Sequence, residues 1–457
     1  MIRRGLRLAS LLLFCAPLAL SSPASAVDLG NALHHAIHKR VQQKDGSGAT
    51  SPSREEIAQT WDAFLTSVVK RAGGDAKESQ LRNELLDVLL SERYELVGLL
   101  TDFTIDAPEL LASLFESSWT QLVPLLDQVA EGLPPAAASK YRSFVEAGDM
   151  LRAAERLGVS KDLAGSPESL RKLARILVGD EGRDPLTYDD EVDPELREIF
   201  GFGPPLAPPA PSPLLDPASE GPSGAWLAPP SAMDWLARLA EGAGDWIVGT
   251  AWAAPAPADR NALAQRLNAW IPSKKSELRE YVPLVRDLLT LTADEAIART
   301  HLGAEHADVY RNLVLATAWQ ESCWRQFFLR QGEVLPVTNS SGSFGLMQIN
   351  AKVWRGIYTI AGIIGDIGYN GRAGSEILEH YLSDHAVRSG EHLAPGGEDN
   401  LARATYAAYN GGPGHLRRYR KPDTSLELQT VDEGFWERYQ AVKAGDERSF
   451  LRCSNPG

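Results

Sequence analysis

The sequence predicts an all-α protein, and three observations carry that expectation. Apolar residues recur at three- and four-residue spacing through long stretches from residue 53 onward. Strand-like alternation of period two is missing from 53 to 200. Residues that start and stop helices stand at the ends of the periodic stretches. The chain has 457 residues, 44% of them hydrophobic, which is enough for two or three packed domains.

The elements follow in chain order. Arg3, Arg4 and Arg7 precede a short apolar run, Leu8 to Leu20, and Ala24-Ser25-Ala26 supplies a small-x-small cleavage site. Residues 1–26 therefore read as a secretory signal cut after Ala26. The run is too short to span a bilayer comfortably. Phe14 before Cys15 argues against lipidation. Residues 27–52 are polar and read as a leader. His34 and His38 within it have the spacing of one helical turn, but no HExxH context follows, so they read as a solvated cluster and no metal is expected.

Helical periodicity begins at Ser53, which forms a capping-box pair with Glu56. Ile57, Trp61, Phe64, Leu65 and Val68 form the first apolar stripe. Further runs cover roughly 78–104, 107–131 and 135–158. Another, near 167–178, opens with Ser166-Pro167, a cap followed by proline at the first helical position. Residues 53–202 read as a helical domain without evident chemistry, suited to contact a partner. Residues 203–230 are proline-dense and read as an extended linker. Short helical runs follow at 231–252, 257–270 and 276–297 and belong to a C-terminal domain, 231–457.

The net charge of −14 excludes nucleic-acid binding as a first reading. It also gives no long-range attraction to an anionic polymer, so such a substrate would be held by local hydrogen bonds and stacking. After removal of the signal, Cys323 and Cys453 remain. An even count in an oxidising compartment suggests one disulfide, and two buried thiols are the alternative.

Chemistry concentrates in the last 150 or so residues. Glu321 lies in Ala318-Trp319-Gln320-Glu321-Ser322-Cys323-Trp324, at the end of an apolar helical run. A carboxylate among such neighbours is partly desolvated, which raises its pKa towards the value a general acid needs. Ser340-Ser341-Gly342-Ser343-Phe344-Gly345-Leu346-Met347-Gln348-Ile349-Asn350 holds glycines for tight turns, then a soft apolar side chain and an amide suited to an acetamido sugar. Tyr369 to Leu382 reads as a loop entering a helix. Ala404 to Gly414 ends a helix in a glycine stop beside Tyr409 and Asn410.

In order, these segments resemble the soluble lytic transglycosylase domain of the lysozyme-like superfamily. Glu321-Ser322 is similar to its catalytic pair and Gly345-Leu346-Met347-Gln348 to its GLMQ segment. Asn370 to Leu382 is similar to its Asn-Gly helix entry, and Ala408-Tyr409-Asn410-Gly411 with Pro413-Gly414 to its AYNxGPG turn. The likeness covers about 300–420. Two features depart from the pattern. The stretch between Ser322 and Gly345, with Phe327, Phe328, Arg330 and Glu333, is longer than usual, and Gly342-Ser343 replaces the common Gly-Ala.

The resemblance implies a helical lysozyme-like fold and a peptidoglycan-cutting enzyme without cofactor or metal. Glu321 would act first as acid on the bond between N-acetylmuramic acid and N-acetylglucosamine, then as base on the muramoyl C6 hydroxyl, closing a 1,6-anhydro ring. Tyr409 would orient the Glu321 carboxylate. Met347, Gln348 and Asn410 would shape the glycan cleft, with Ser322 and Ser341 as further polar contacts. A hydrolytic muramidase of goose-lysozyme type would need a second acid, for which Asp366, Glu398 and Asp399 are candidates. A wall-binding scaffold that does not cut is the third reading. A monomer exported to the periplasm, or secreted, is expected.

Overall fold

The computed structural model describes residues 53–101, 107–156, 166–179, 184–208, 259–268, 270–272, 274–300, 302–330 and 333–446. The signal and leader, the leader histidines, most of the proline-dense linker with the run at 231–252, and Cys453 fall outside these residues. No helix among the described residues is long and apolar enough to cross a membrane.

Ser53 starts α1 (Arg54–Asp75) through a reciprocal capping box. Its hydroxyl accepts from the Glu56 N–H, and the Glu56 carboxylate accepts from the Ser53 N–H at 2.7 Å. Next come α2 (Ser79–Thr101), α3 (Ala107–Glu131), α4 (Pro135–Arg156) and α5 (Pro167–Val178), the last capped by Ser166 with proline in its first turn. Their apolar stripes meet around Trp61, Phe64, Phe115, Trp119 and Phe144. Phe115 stacks on Trp119 at 5.0 Å and Trp119 meets Phe144 at 5.3 Å. Gly148 is the gap that seats Trp119, since a Cβ there would fall 2.0 Å from its ring.

After α6 (Pro194–Ile199) the chain resumes with α7 (Arg260–Asn268), α8 (Lys275–Arg299) and α9 (Ala307–Ser322). The long stretch after Ser322 forms two small antiparallel hairpins, β1 (Phe327–Arg330) with β2 (Glu333–Pro336) and β3 (Ser343–Phe344) with β4 (Ile349–Asn350). Then come α10 (Ile360–Gly365), α11 (Ile367–His380), a π-helical turn (Tyr381–Val387), α12 (Asp399–Gly411) and α13 (Leu426–Lys443). Helix α9 is central to this half, packed by α8, α11, α12 and α13.

The two halves share one continuous core. Asp62 on α1 is gripped by Arg93 of α2 and by Arg355, each at 2.7 Å, and all three are buried. Arg93 also donates to the Val353 and Arg355 carbonyls. Arg197 of α6 reaches the Ile357 carbonyl and the Glu376 carboxylate, which Arg299 meets from another side. The expected linker opens differently from its composition. Residues 203–206 are anchored: Arg197 binds the Phe202, Gly203 and Pro204 carbonyls, and Leu206 is buried. A buried guanidinium needs acceptors, and the backbone of this proline-rich stretch, free of helical bonding, supplies them.

Candidate active site

Helix α9 carries Glu321 in its last turn and stops there because Cys323 and Trp324 both take left-handed backbone, φ 54° and 58°. With Gln348, φ 48°, they are the non-glycine residues at positive φ among the described residues. Such strain persists only where surrounding contacts hold it. Here Trp324 is buried, its indole N–H bonded to the Leu315 carbonyl and its own carbonyl accepting from Tyr281.

The Gly345–Gln348 turn is clamped beside the helix end. Gln326, fully buried, accepts from the Leu346 N–H and donates to the Ile363 and Ile364 carbonyls. Asn370 accepts from the Met347 N–H and donates to the Phe344 and Ile363 carbonyls. Ser322 adds a tie, its hydroxyl donating to the Leu346 carbonyl at 2.6 Å.

Opposite, α12 presents Tyr406. Its hydroxyl donates to Glu321 Oε1 at 2.9 Å, and its ring stacks on Phe435 of α13, centroids 4.0 Å apart and nearly coplanar. Burial pushes the Glu321 carboxyl up to about 7, against the opposing pull of the Tyr406 hydrogen bond and the Arg418 charge. Arg418 is itself buried. It is held by Asp432 through Nε and Nη2, also donates to Asn410 Oδ1 at 2.9 Å, and keeps its Nη1 buried without a hydrogen-bond partner. Tyr94 of α2 supports the far end of α12, bonding the Tyr409 carbonyl at 3.2 Å with its ring under Gly412.

The residues expected from sequence divide. Glu321 is partly buried with a polarised hydrogen-bond partner, the setting of an acid that titrates near neutrality. The orienting tyrosine is corrected: it is Tyr406, one helical turn before Tyr409. The Tyr409 hydroxyl is committed to the Met347 carbonyl at 2.6 Å. Met347 is also corrected, because its side chain is fully buried against Gly374 and forms core, not cleft wall. Ser322 is buried with its hydroxyl spent on the backbone, so it is a tie and not a glycan contact. Gln348 is half-buried, its amide N–H groups given to the Val337 and Gly345 carbonyls. Ser341 lies in a turn organised by Asn339, and Asn410 is exposed, its Oδ1 accepting from Arg418.

Two of the three candidate second acids are committed elsewhere, and Glu398 is exposed without a side-chain capping bond. Asp366 caps α11 and accepts from Asn268, while Glu398 and Asp399 begin α12, with Asp399 paired to Lys443. Sequence reasoning missed Tyr406, Gln326, Arg418, Asp432, Phe435 and Tyr94. Tyr406 alone had a usable signal, since it lies on the same apolar helix as Tyr409. Comparison with protein-family models, with curated proteins and with solved structures finds no match to this chain.

Proposed function

We propose that this chain is an exported peptidoglycan lytic transglycosylase in which Glu321 serves as acid and then as base. The observation that carries this reading is a desolvated carboxyl, raised to about 7 and bonded to one tyrosine, while of the other carboxylates considered Asp366 is tied to a helix cap and Asp399 to Lys443. The ordered likeness of the segments that meet at Glu321 supplies the substrate class.

The step balances without water. Glu321 gives its proton to the glycosidic oxygen as the bond from muramoyl C1 breaks, and the N-acetylglucosamine side leaves with a new C4 hydroxyl. The positive centre at C1 is shared with the substrate's acetamido oxygen. Glu321, now a carboxylate, takes the proton from the C6 hydroxyl as O6 bonds to C1, which returns it to the acid form. Tyr406 holds the carboxyl through both transfers. Asn410 and Ser341 remain the polar side chains proposed to contact the glycan.

Glu321→Gln tests this. Sacculi digested with the parent protein are expected to yield 1,6-anhydromuramic ends by mass spectrometry, and the variant none. Reducing muramic ends would make the enzyme a hydrolase, and no new ends from the parent would make it a scaffold. The variant also carries a stability signature. A carboxyl raised above its unfolded value adds stability below about pH 4.5, and that contribution is lost as pH rises through about 7. Glu321→Gln should therefore melt higher than the parent at pH 8 and not at pH 4.

A further inference from the structure

A second cluster of chemical groups lies away from Glu321, where the N-terminal helices meet the catalytic half. Asp87 of α2, His380 at the end of α11 and His385 in the π-helical turn each offer one ligand atom, and these atoms all lie within 4.8 Å of one another. His385 Nε2 lies 3.3 Å from His380 Nε2 and 3.2 Å from Asp87 Oδ1. Asp87 Oδ1 is buried and takes no hydrogen bond, although the imidazole nitrogen is so near. The approach is close but not aligned as N–H to O. Both histidine side chains are nearly buried, at 4% and 10% exposure.

We propose that Asp87, His380 and His385 form a divalent-metal site of the zinc class that joins α2 to the catalytic half. Tetrahedral zinc with bonds of about 2.0–2.1 Å places its ligand atoms about 3.3 Å apart, the separation of these two contacts. Two imidazoles and a carboxylate are a borderline-soft set that suits zinc over calcium or magnesium. His380 Nδ1 lies 3.1 Å from Asp384 Oδ2, and Asp384 is held in turn by Arg388. A carboxylate there accepts a hydrogen bond from Nδ1–H and so fixes the tautomer that leaves the Nε2 lone pair free, the outer support that ligating histidines use. Phe202 and Tyr381 flank the His380 ring and supply the apolar surround. A cavity of about 210 Å³ lies beside His380 and is lined in part by Asn83 and Asp384. The ligands come from one helix of the first half and, in the second, from the end of α11 and the π-helical turn that follows it. Such turns recur at functional sites, and this one packs on α12, which carries Tyr406. The ion would be a staple between halves, not a participant in glycan chemistry.

The test uses the full mature chain, dialysed against a chelator and then titrated with zinc chloride, followed by calorimetry, bound-metal analysis and thermal unfolding. One equivalent is expected, with a higher melting temperature. Asp87→Asn and His385→Asn should weaken that equivalent more than ten-fold, and Asp384→Asn should weaken it about 10–100-fold without changing its stoichiometry. A variant with His34, His35 and His38 replaced by alanine should keep it. Undiminished binding in Asp87→Asn, or binding that disappears with the leader histidines, would overturn the site. So would no zinc-dependent rise in melting temperature in the parent, which would leave the three groups as an ordinary polar cluster. None of these readings depends on glycan cleavage, so failure here and failure of the proposed activity are separable.

Discussion

Two tyrosines on one helix divide the work at the site. Tyr406 touches the acid, while Tyr409 holds the turn that faces it. Their substitutions should part accordingly. Tyr406→Phe removes the hydrogen bond that pulls the Glu321 pKa down, so the fall in activity with rising pH should move to higher pH. Turnover should drop on the order of ten- to hundred-fold, as expected when a reacting group loses its positioning contact. Tyr409→Phe leaves the Met347 carbonyl without its donor and should cost about 1–3 kcal/mol of stability. Its pH–rate profile should stay where it is. Rates on purified glycan from pH 5 to 9, with urea unfolding, distinguish the two. Arg418 belongs to the same scale: its charge opposes the burial that raises Glu321, and Asp432 limits where that charge can lie.

Among the elements, the Gly345–Gln348 turn depends most on its neighbours. Gly345 has φ 76°, and a Cβ there would fall 2.3 Å from the Gln326 amide and 2.6 Å from that of Asn370. These two amides hold the turn in place, so neither can yield without releasing it. Gly342 has φ 84° with open space around it. Gly342→Ala should cost about 1 kcal/mol, the backbone term alone, and Gly345→Ala about 1–3 kcal/mol more, with loss of activity. Thermal unfolding of the pair separates backbone strain from side-chain crowding. The motif-like glycine is thus explained by what lies beside it, and Gln326, outside any motif considered, explains it as much as Asn370 does.

Across the whole molecule, the two halves are joined by buried charge. Asp62 is deeply buried, which favours its neutral form, yet Arg93 and Arg355 together hold its carboxyl below the usual range. A depressed carboxylate contributes stability above its unfolded value of about 3.8, and that contribution is lost as pH falls through the folded pKa. Asp62→Asn leaves two buried guanidinium groups without their counter-charge and should cost about 3–5 kcal/mol at neutral pH. Because the core is continuous, tryptophan fluorescence and far-ultraviolet circular dichroism should show one shared transition in parent and variant. Two separated transitions would mean that the halves fold independently.

The sequence by itself determined where the first helices run, because their apolar residues repeat with the helical period and Ser53 and Ser166 mark starts that local hydrogen bonds alone can make. It also singled out Glu321, through its place in an ordered set of motifs, its apolar neighbours alone being too common a setting to do so. Only the tertiary structure decided which tyrosine meets it. Residues three apart on a helix point about 60° from each other, so the choice between Tyr406 and Tyr409 depends on how α12 is tilted against α9. That tilt is set by Phe435 on α13 and Tyr94 on α2, from distant parts of the chain. The pairing of Asp62 with Arg355 and the convergence of Asp87 on His380 and His385 are of the same kind. Each rests on partners hundreds of residues apart, whose meeting no local period or spacing encodes.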